Sequence, residues 1–291
     1  MAIDKHSKAA IAKNVTALST IFLNAFDLRR QQHLKGEVST PTLAAISEVE
    51  TSINETALKM IYKLNDAAFR PIFAQIVEWS SSTQPKVDAT GLLLRQQSVY
   101  GFLYTFFDNL KSIVTSYTSY IVDNAAKILK ETIPKDAESK ALWRTVLRTL
   151  TKSFEHDQDD FWQAPSHFGA IGPLLVEQFS HAGLLDLSEE LIPAIVELGA
   201  AADSQEHQKE LNGAILKRLR SENAAVRLAA VQCEQALTDK LGEEWLAMLP
   251  EMLPYISELQ EDDDEVVDRE THRWIVKIES VLGESLDSML Q

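Results

Sequence analysis

Leu241-Gly242-Glu243-Glu244-Trp245-Leu246-Ala247-Met248-Leu249 realigns on Leu282-Gly283-Glu284-Ser285-Leu286-Asp287-Ser288-Met289-Leu290, 41 residues later, with five of nine positions identical. The same offset pairs Ile215 with Ile256, Val226 with Val267 and Leu237 with Ile278. Apolar residues between these anchors recur at helical spacing, so the period is read as two helices and their turns. One such pair cannot bury its apolar face alone, so neighbours must stack into a continuous core.

Outward from the repeat the pattern stays helical. An opening helix carries Ile11, Val15, Leu18, Ile21, Phe22, Ala25 and Leu28, and Gly36 breaks it. Thr40 reads as a cap with Pro41 as first helical residue, and Asn65 as the cap of a helix through Phe69, Phe73 and Trp79. The polar stretch Ser80 to Pro85 is a loop. Helices are then expected from about Gly91 to Leu110, from about Lys111 to Lys130, and through Leu142, Val146, Leu150 and Phe154. Others run through Leu174, Leu175 and Phe179, and through Leu191, Ile195 and Leu198, with an acidic, irregular segment from His156 to Pro165 before them. No segment shows the strict alternation of a half-buried strand. Ten Gly and nine Pro in 291 residues are few, which favours long helices with short connections. The expected fold is all-α, a HEAT/armadillo-like superhelical solenoid of antiparallel helix pairs. It is read as one solenoid over 1–291, with a subdivision into 1–134 and 135–291 where Pro134 marks a break. The helical pattern starts almost at Met1, which suggests a piece of a longer helical protein.

Charge changes at the same break. Up to Lys135 there are 15 basic and 12 acidic residues, a net of +3, and from Asp136 there are 13 and 31, a net of −18. A strongly acidic half repels nucleic acid and favours basic protein partners, and it also keeps a protein soluble. No apolar run reaches 18 residues, so no membrane span is expected. Met1 to Lys5 lacks the apolar core of a signal peptide, and the single Cys233 allows no internal disulfide and fits a reducing compartment.

Asn223-Ala224-Ala225-Val226-Arg227-Leu228-Ala229-Ala230 resembles the HEAT consensus at the start of its second helix, where small alanines permit close approach. Leu249-Pro250-Glu251-Met252-Leu253-Pro254 resembles the Pro-containing first helix. The usual HEAT Asp falls at Ser221, and where Asp262 restores the acid the Arg position holds Asp268. No Asp–Arg ladder is therefore expected between these two repeats.

Leu249 to Leu259, the acidic run Glu261 to Glu265, and Val281-Leu282-Gly283-Glu284-Ser285-Leu286 together resemble a more specific family. It is that of the very large nucleolar HEAT-repeat protein of the small-subunit processome, U-three snoRNA-associated protein ten. Leu64-Asn65-Asp66-Ala67-Ala68-Phe69-Arg70-Pro71-Ile72-Phe73 and Trp79 resemble it further upstream. The resemblance covers most of this chain and only the C-terminal end of a far longer protein. It implies a nucleolar scaffold without catalytic activity or cofactor, assembling with UtpA subunits early on pre-ribosomal RNA. The implied role is pre-rRNA processing and 40S assembly, with pre-rRNA or the U-three snoRNP touched indirectly or weakly. No membrane and no small-molecule substrate is implied. Two other readings share the architecture: a direct pre-rRNA-binding module and a transport-receptor-like cargo binder.

Chemistry-bearing motifs are scarce. GxxxxGK[ST], HExxH and CxxC are missing, and no GxGxxG follows a strand. Asp262-Asp263-Asp264-Glu265 lacks the Gly at the sixth position of a calcium loop, where Val267 stands. The acids of that turn favour the following helix N-terminus instead. His156-Asp157-Gln158-Asp159-Asp160 has metal-ligand residue types but no second His nearby. Cys233 shares the phase of Val226, Ala230 and Leu237 and is read as core. Tyr100, Phe102, Tyr104, Phe106, Phe107, Tyr117 and Tyr120 spread over several helix faces, which argues for packing rather than a base-stacking platform. Two basic clusters remain as contact candidates for a partner or RNA. Arg144, Arg148 and Lys152 form one helical stripe, and Lys217, Arg218 and Arg220 gather at a helix end.

Overall fold

A computed structural model describes residues 2–84 and 86–290. Met1 and Pro85, the first residue and the end of the expected loop, lie outside the described residues. Among the described residues every regular element is helical, apart from one isolated bridge between Ala182 and Leu185. The fold class is the all-α helical-repeat class read from the sequence. The chain forms two compact units, Met1–Lys152 and Ser153–Gln291.

The first unit contains α1 (Lys8–Lys13), α2 (Val15–Phe26), α3 (Leu28–His33), α4 (Thr40–Ile61), α5 (Asp66–Ser80) and α6 (Ala89–Asn109). Then come α7 (Thr115–Thr118), α8 (Val122–Glu131) and α9 (Ala137–Glu155), whose last three residues are counted with the second unit. The single opening helix expected from periodicity is three helices, interrupted at Asn14 and Asp27. The α4 cap is Ser39, one residue before the expected Thr40, and Pro41 sits in the first turn. Asn65 caps α5 as its sequence indicates, accepting the Ala68 N–H at 2.9 Å. The helix expected over Lys111 to Lys130 is broken into a 3-10 turn, α7 and α8. Ile113, Val114, Thr115 and Thr118 to Val122 concentrate β-branched and hydroxyl side chains there, whose helix propensity is low.

Helix α6 is the axis of this unit and is buried nearly all round, with α3, α4 and α5 packed against it. Its Phe102, Phe106 and Phe107 meet Phe26, Phe69, Phe73 and Tyr117 in one aromatic cluster. The Phe73–Tyr117 centroids stand 4.8 Å apart, edge to face, a geometry that adds to the area these rings bury. Tyr104 and Tyr120 are half-buried, and the other five rings of the series are buried.

The second unit contains α10 (Pro165–Glu177), α11 (Leu191–Ala202), α12 (Gln205–Arg218) and α13 (Ala224–Leu241). It continues through α14 (Glu243–Leu246), α15 (Leu249–Leu259) and α16 (Glu265–Leu282). Helices α13 and α16 start and stop 41 residues apart, each capped by an Asx side chain, Asn223 or Asp264, and closed by a glycine of positive φ. Val226 and Val267 are both third residues of their helices and both buried. Helix α13 packs between α11 and α16, while α10 packs on α12 and α15 on α16. Gly199 of α11 lets α13 come close: a Cβ there would lie 3.2 Å from Leu237 Cδ2. Trp274 occupies the position one period after Cys233, and Leu286 the position one period after Trp245; all four are fully buried.

One expectation is overturned here. Arg227 of α13 forms a two-pronged pair with Asp262, which lies in the turn before α16, at 2.8 Å (Nε to Oδ2) and 2.7 Å (Nη2 to Oδ1). It also donates to the Ser221 carbonyl at 2.9 Å. A rung needs only an Arg from one repeat and an Asp from the next. Ser221 and Asp268 therefore remove further rungs and leave this one intact.

Candidate interaction surfaces

The two basic clusters differ in exposure and in the partners their cations meet. On α9, Arg148 is exposed, Arg144 and Lys152 are half-buried, and Lys152 pairs with Asp108 at 3.2 Å. The stripe exists, and its Lys152 is answered within the unit. At the α12 end, Lys217 is exposed and Arg218 half-buried. Arg220 is committed to Glu258 at 2.7 Å and lies over the Tyr255 ring at 4.1 Å. That hydrogen bond raises the Arg220 pKa and holds the Glu258 carboxyl below its usual range.

The acidic segments have structural tasks. Asp157 accepts the N–H groups of Phe161 and Trp162 at 3.2 and 3.0 Å, folding the loop onto itself. Asp264 caps α16 by accepting the Val266 N–H at 2.9 Å. Burial pushes the Asp262 carboxyl up, but the Arg227 guanidinium and the Asp264 N–H outweigh it and hold it below the usual range. Among the described residues no group of three or more His, Cys, Asp or Glu is placed to hold a metal ion.

Charges inside the units were not anticipated. In the first unit Arg95 is buried, donates to Asp27 at 3.2 Å and to the Ser82 carbonyl at 2.8 Å, and lies over the Trp79 ring at 4.3 Å. Asp27 also holds Arg30, while Arg29 pairs with Glu50 at 2.7 Å and Glu50 accepts the Ser98 hydroxyl. In the second unit Glu234 is fully buried beside Cys233. Its Oε2 accepts the Trp245 indole N–H at 2.9 Å, and its Oε1 has no hydrogen-bond partner among the described residues. Burial pushes its pKa up to about 8, against a smaller opposing effect of the Trp245 bond. Burial, with the Glu234 charge adding to it, raises the Cys233 thiol well above its ordinary value. The signal was present in the sequence, since Arg95 lies on the apolar stripe of Gly91, Leu94, Ser98 and Phe102, and Glu234 on that of Ala230 and Leu237.

A cleft between α10 and α12 completes the surface features, with a volume of about 380 Å³. Phe168, Val176 and Leu211 form its floor, and Lys209 and Lys217 stand at its mouth.

The BP28CT (NUC211) domain model matches residues 10–162, more than half of the chain. This chain belongs to the BP28CT (NUC211) family. Similarity extends well beyond the matched domain. The chain is 67% identical over its whole length to the U3 small nucleolar RNA-associated protein 10 of Chaetomium globosum. It is 62% identical to that of Neurospora crassa and 48% identical to that of Aspergillus fumigatus, again over the whole chain. It spans only 16–17% of the length of these relatives. Within this BP28CT member, the α13–α16 repeat and the α10–α12 cleft lie outside the residues that the domain model covers. No helix among the described residues is long and apolar enough to cross a membrane.

Proposed function

We propose that this chain is a non-catalytic protein-interaction scaffold of ribosome biogenesis, acting in the small-subunit processome during pre-rRNA processing and 40S assembly. The observation that carries it is the similarity over the whole chain to proteins named for association with the U3 small nucleolar RNA. The expected location is the nucleolus, and the expected partners are UtpA subunits. The packing is compatible with this role: α11, α13 and α16 bury their stripes against one another and leave outer helices to present side chains.

Charge decides how RNA enters the reading. Residues 153–291 hold 9 basic and 29 acidic side chains, a net of −20, and residues 1–152 hold 19 and 14, a net of +5. An acidic surface of that size repels a phosphate backbone. Any RNA contact is therefore assigned to residues 1–152, with the Arg144–Arg148–Lys152 stripe as first candidate, and is weak. Lys217, Arg218 and Arg220 are assigned to protein contacts. The test is a pull-down of purified UtpA subunits by this chain, alongside filter binding of pre-rRNA across a salt series. Recovery of a subunit, with RNA affinity weak at about 150 mM salt, supports the scaffold. Tight RNA binding that falls steeply with salt, without subunit recovery, favours a direct pre-rRNA-binding module instead.

A further inference from the structure

We propose that the cleft between α10 and α12 is a docking site for a short acidic segment of a partner protein, which seats an apolar side chain in the cleft and pairs carboxylates with Lys209 and Lys217. This rests on the scaffold reading above and names the chemistry of one partner.

The cleft is preformed. Phe168, at its floor, stacks on His207 with ring centroids 4.3 Å apart, and His207 Nε2 meets the Gln163 carbonyl at 2.8 Å. The floor ring is thus held from behind and is not free to swing into the space. Depth comes from missing side chains. A Cβ at Gly172 would meet the Phe168 ring at 3.1 Å, and a Cβ at Gly213 would meet nothing within 4 Å. Gly213 therefore opens onto the cleft where any other residue would partly fill it.

The mouth selects the occupant. Lys209 and Lys217 are both exposed and eight residues apart on α12, about 12 Å along the helix axis. Among the described residues Lys209, Lys217, Arg218 and Arg269 form no ion pair, while Arg220, Arg227, Lys240, Arg273 and Lys277 do. No Lys or Arg occurs anywhere from 153 to 208. Of the four cations without an ion pair, the two lysines are the ones that line the apolar cleft, in an otherwise strongly acidic unit. Glu210 shares the mouth, leaving one net positive charge, and the net charge of −20 lies around it. Such a spot rewards two carboxylates at a defined spacing and repels an extended polyanion, which disfavours RNA. With polar groups only at the mouth, nothing inside would orient a small molecule. An aliphatic or aromatic side chain needs no such group.

The test uses the 291-residue chain and a fluorescently labelled peptide in which Leu-Phe is flanked on each side by a single Glu, read by fluorescence polarisation at about 50 mM salt. The expected result is saturable binding weakened at least about tenfold by Gly213→Leu, by the double change Lys209→Glu with Lys217→Glu, and by replacing Leu-Phe with Ala-Ala. Gly213→Leu projects into open space and raises helix propensity, so an unchanged thermal melt separates filling of the cleft from unfolding. Gly213→Ser, a smaller intrusion, should weaken binding less than Leu. Saturable binding that ignores both Gly213→Leu and the lysine reversals overturns the proposal, as does absence of binding by the unsubstituted chain. Displacement of the peptide by oligouridine at equal concentration overturns it as well. If UtpA subunits are recovered equally by the unsubstituted and Gly213→Leu chains, the cleft proposal fails while the scaffold reading stands. If the unsubstituted chain recovers none, the scaffold reading fails.

Discussion

Both units carry charge on a helix face that should be apolar, and they neutralise it in opposite ways. In residues 1–152, Arg95 is buried together with Asp27, inside a set that also holds Arg29, Arg30 and Glu50. In residues 153–291, the Glu234 carboxyl is buried with an indole N–H as its one hydrogen-bond partner among the described residues, and its pKa rises to about 8. The first solution keeps full charges and depends on every partner staying in place. The second discards the charge at neutral pH and depends on a proton. A buried ionisable residue on an apolar stripe does not reveal which solution applies, because that is decided by what the neighbouring helices bring to it.

The contrast can be broken at its strongest point by Asp27→Ala. Arg95 then stays buried without its carboxylate and Arg30 loses the same partner, so a loss of about 3–5 kcal/mol is expected in denaturant unfolding of the chain. Arg95→Met should cost clearly less, because it replaces the buried charge by apolar volume. Equal losses would show that the pairing is not what matters.

Val226→Asp puts a carboxylate into the second unit with neither solution available. A cost on the order of 3 kcal/mol is expected. Hydrogen exchange should show Leu237 losing protection before Leu18, since repeats couple mainly to their neighbours. Equal loss at both positions would contradict this.

Glu234→Gln sharpens the proton-dependent side. Its folded pKa is raised, so the folded chain binds more protons than the unfolded one between the ordinary value of 4.5 and about 8. Stability therefore falls as pH rises through that window, by up to about 1.4 kcal/mol per pH unit from this group. Gln should flatten that slope in urea titrations at about pH 5, 6 and 7. An unaltered slope would mean that Glu234 is ionised in the folded chain.

Arg227→Met removes a paired charge at the edge of the second unit rather than in its interior. The loss expected is about 1.5–3 kcal/mol, because Asp262 keeps its Asp264 N–H bond when Arg227 is removed. The smallest effect is a chemical one. Cys233 should label with a thiol reagent only as fast as the chain unfolds, since burial disfavours the thiolate. Rapid stoichiometric labelling of the native chain would contradict its placement.

The 41-residue period, the Asn65 cap and the core phase of Cys233 were legible because each depends on residues close in sequence or on one helix face. Val226 and Val267 announced their equivalence for the same reason. What was not legible depends on partners far away in sequence. Asp27 meets Arg95 across 68 residues, and Arg227 meets Asp262 across 35. The Ser221 departure pointed to a missing ladder, yet the rung forms from the other repeat's acid. The α10–α12 cleft is defined by absent side chains at Gly172 and Gly213, which composition alone does not separate from ordinary helix glycines. The Lys111–Lys130 break was visible in its β-branched and hydroxyl residues, which apolar spacing outweighed.

Helices α13 and α16 begin after an Asx cap and end before a positive-φ glycine at the same two phases of the period. Excising Gly242–Leu282 would join Leu241 directly to Gly283, so the shortened chain would meet a glycine where it met one before. Removing or adding one whole period therefore keeps the Asx cap before each helix and the closing glycine after it. Such a chain can lengthen or shorten by whole turns of its own architecture, and only the surfaces at the ends of the stack have to be re-invented each time.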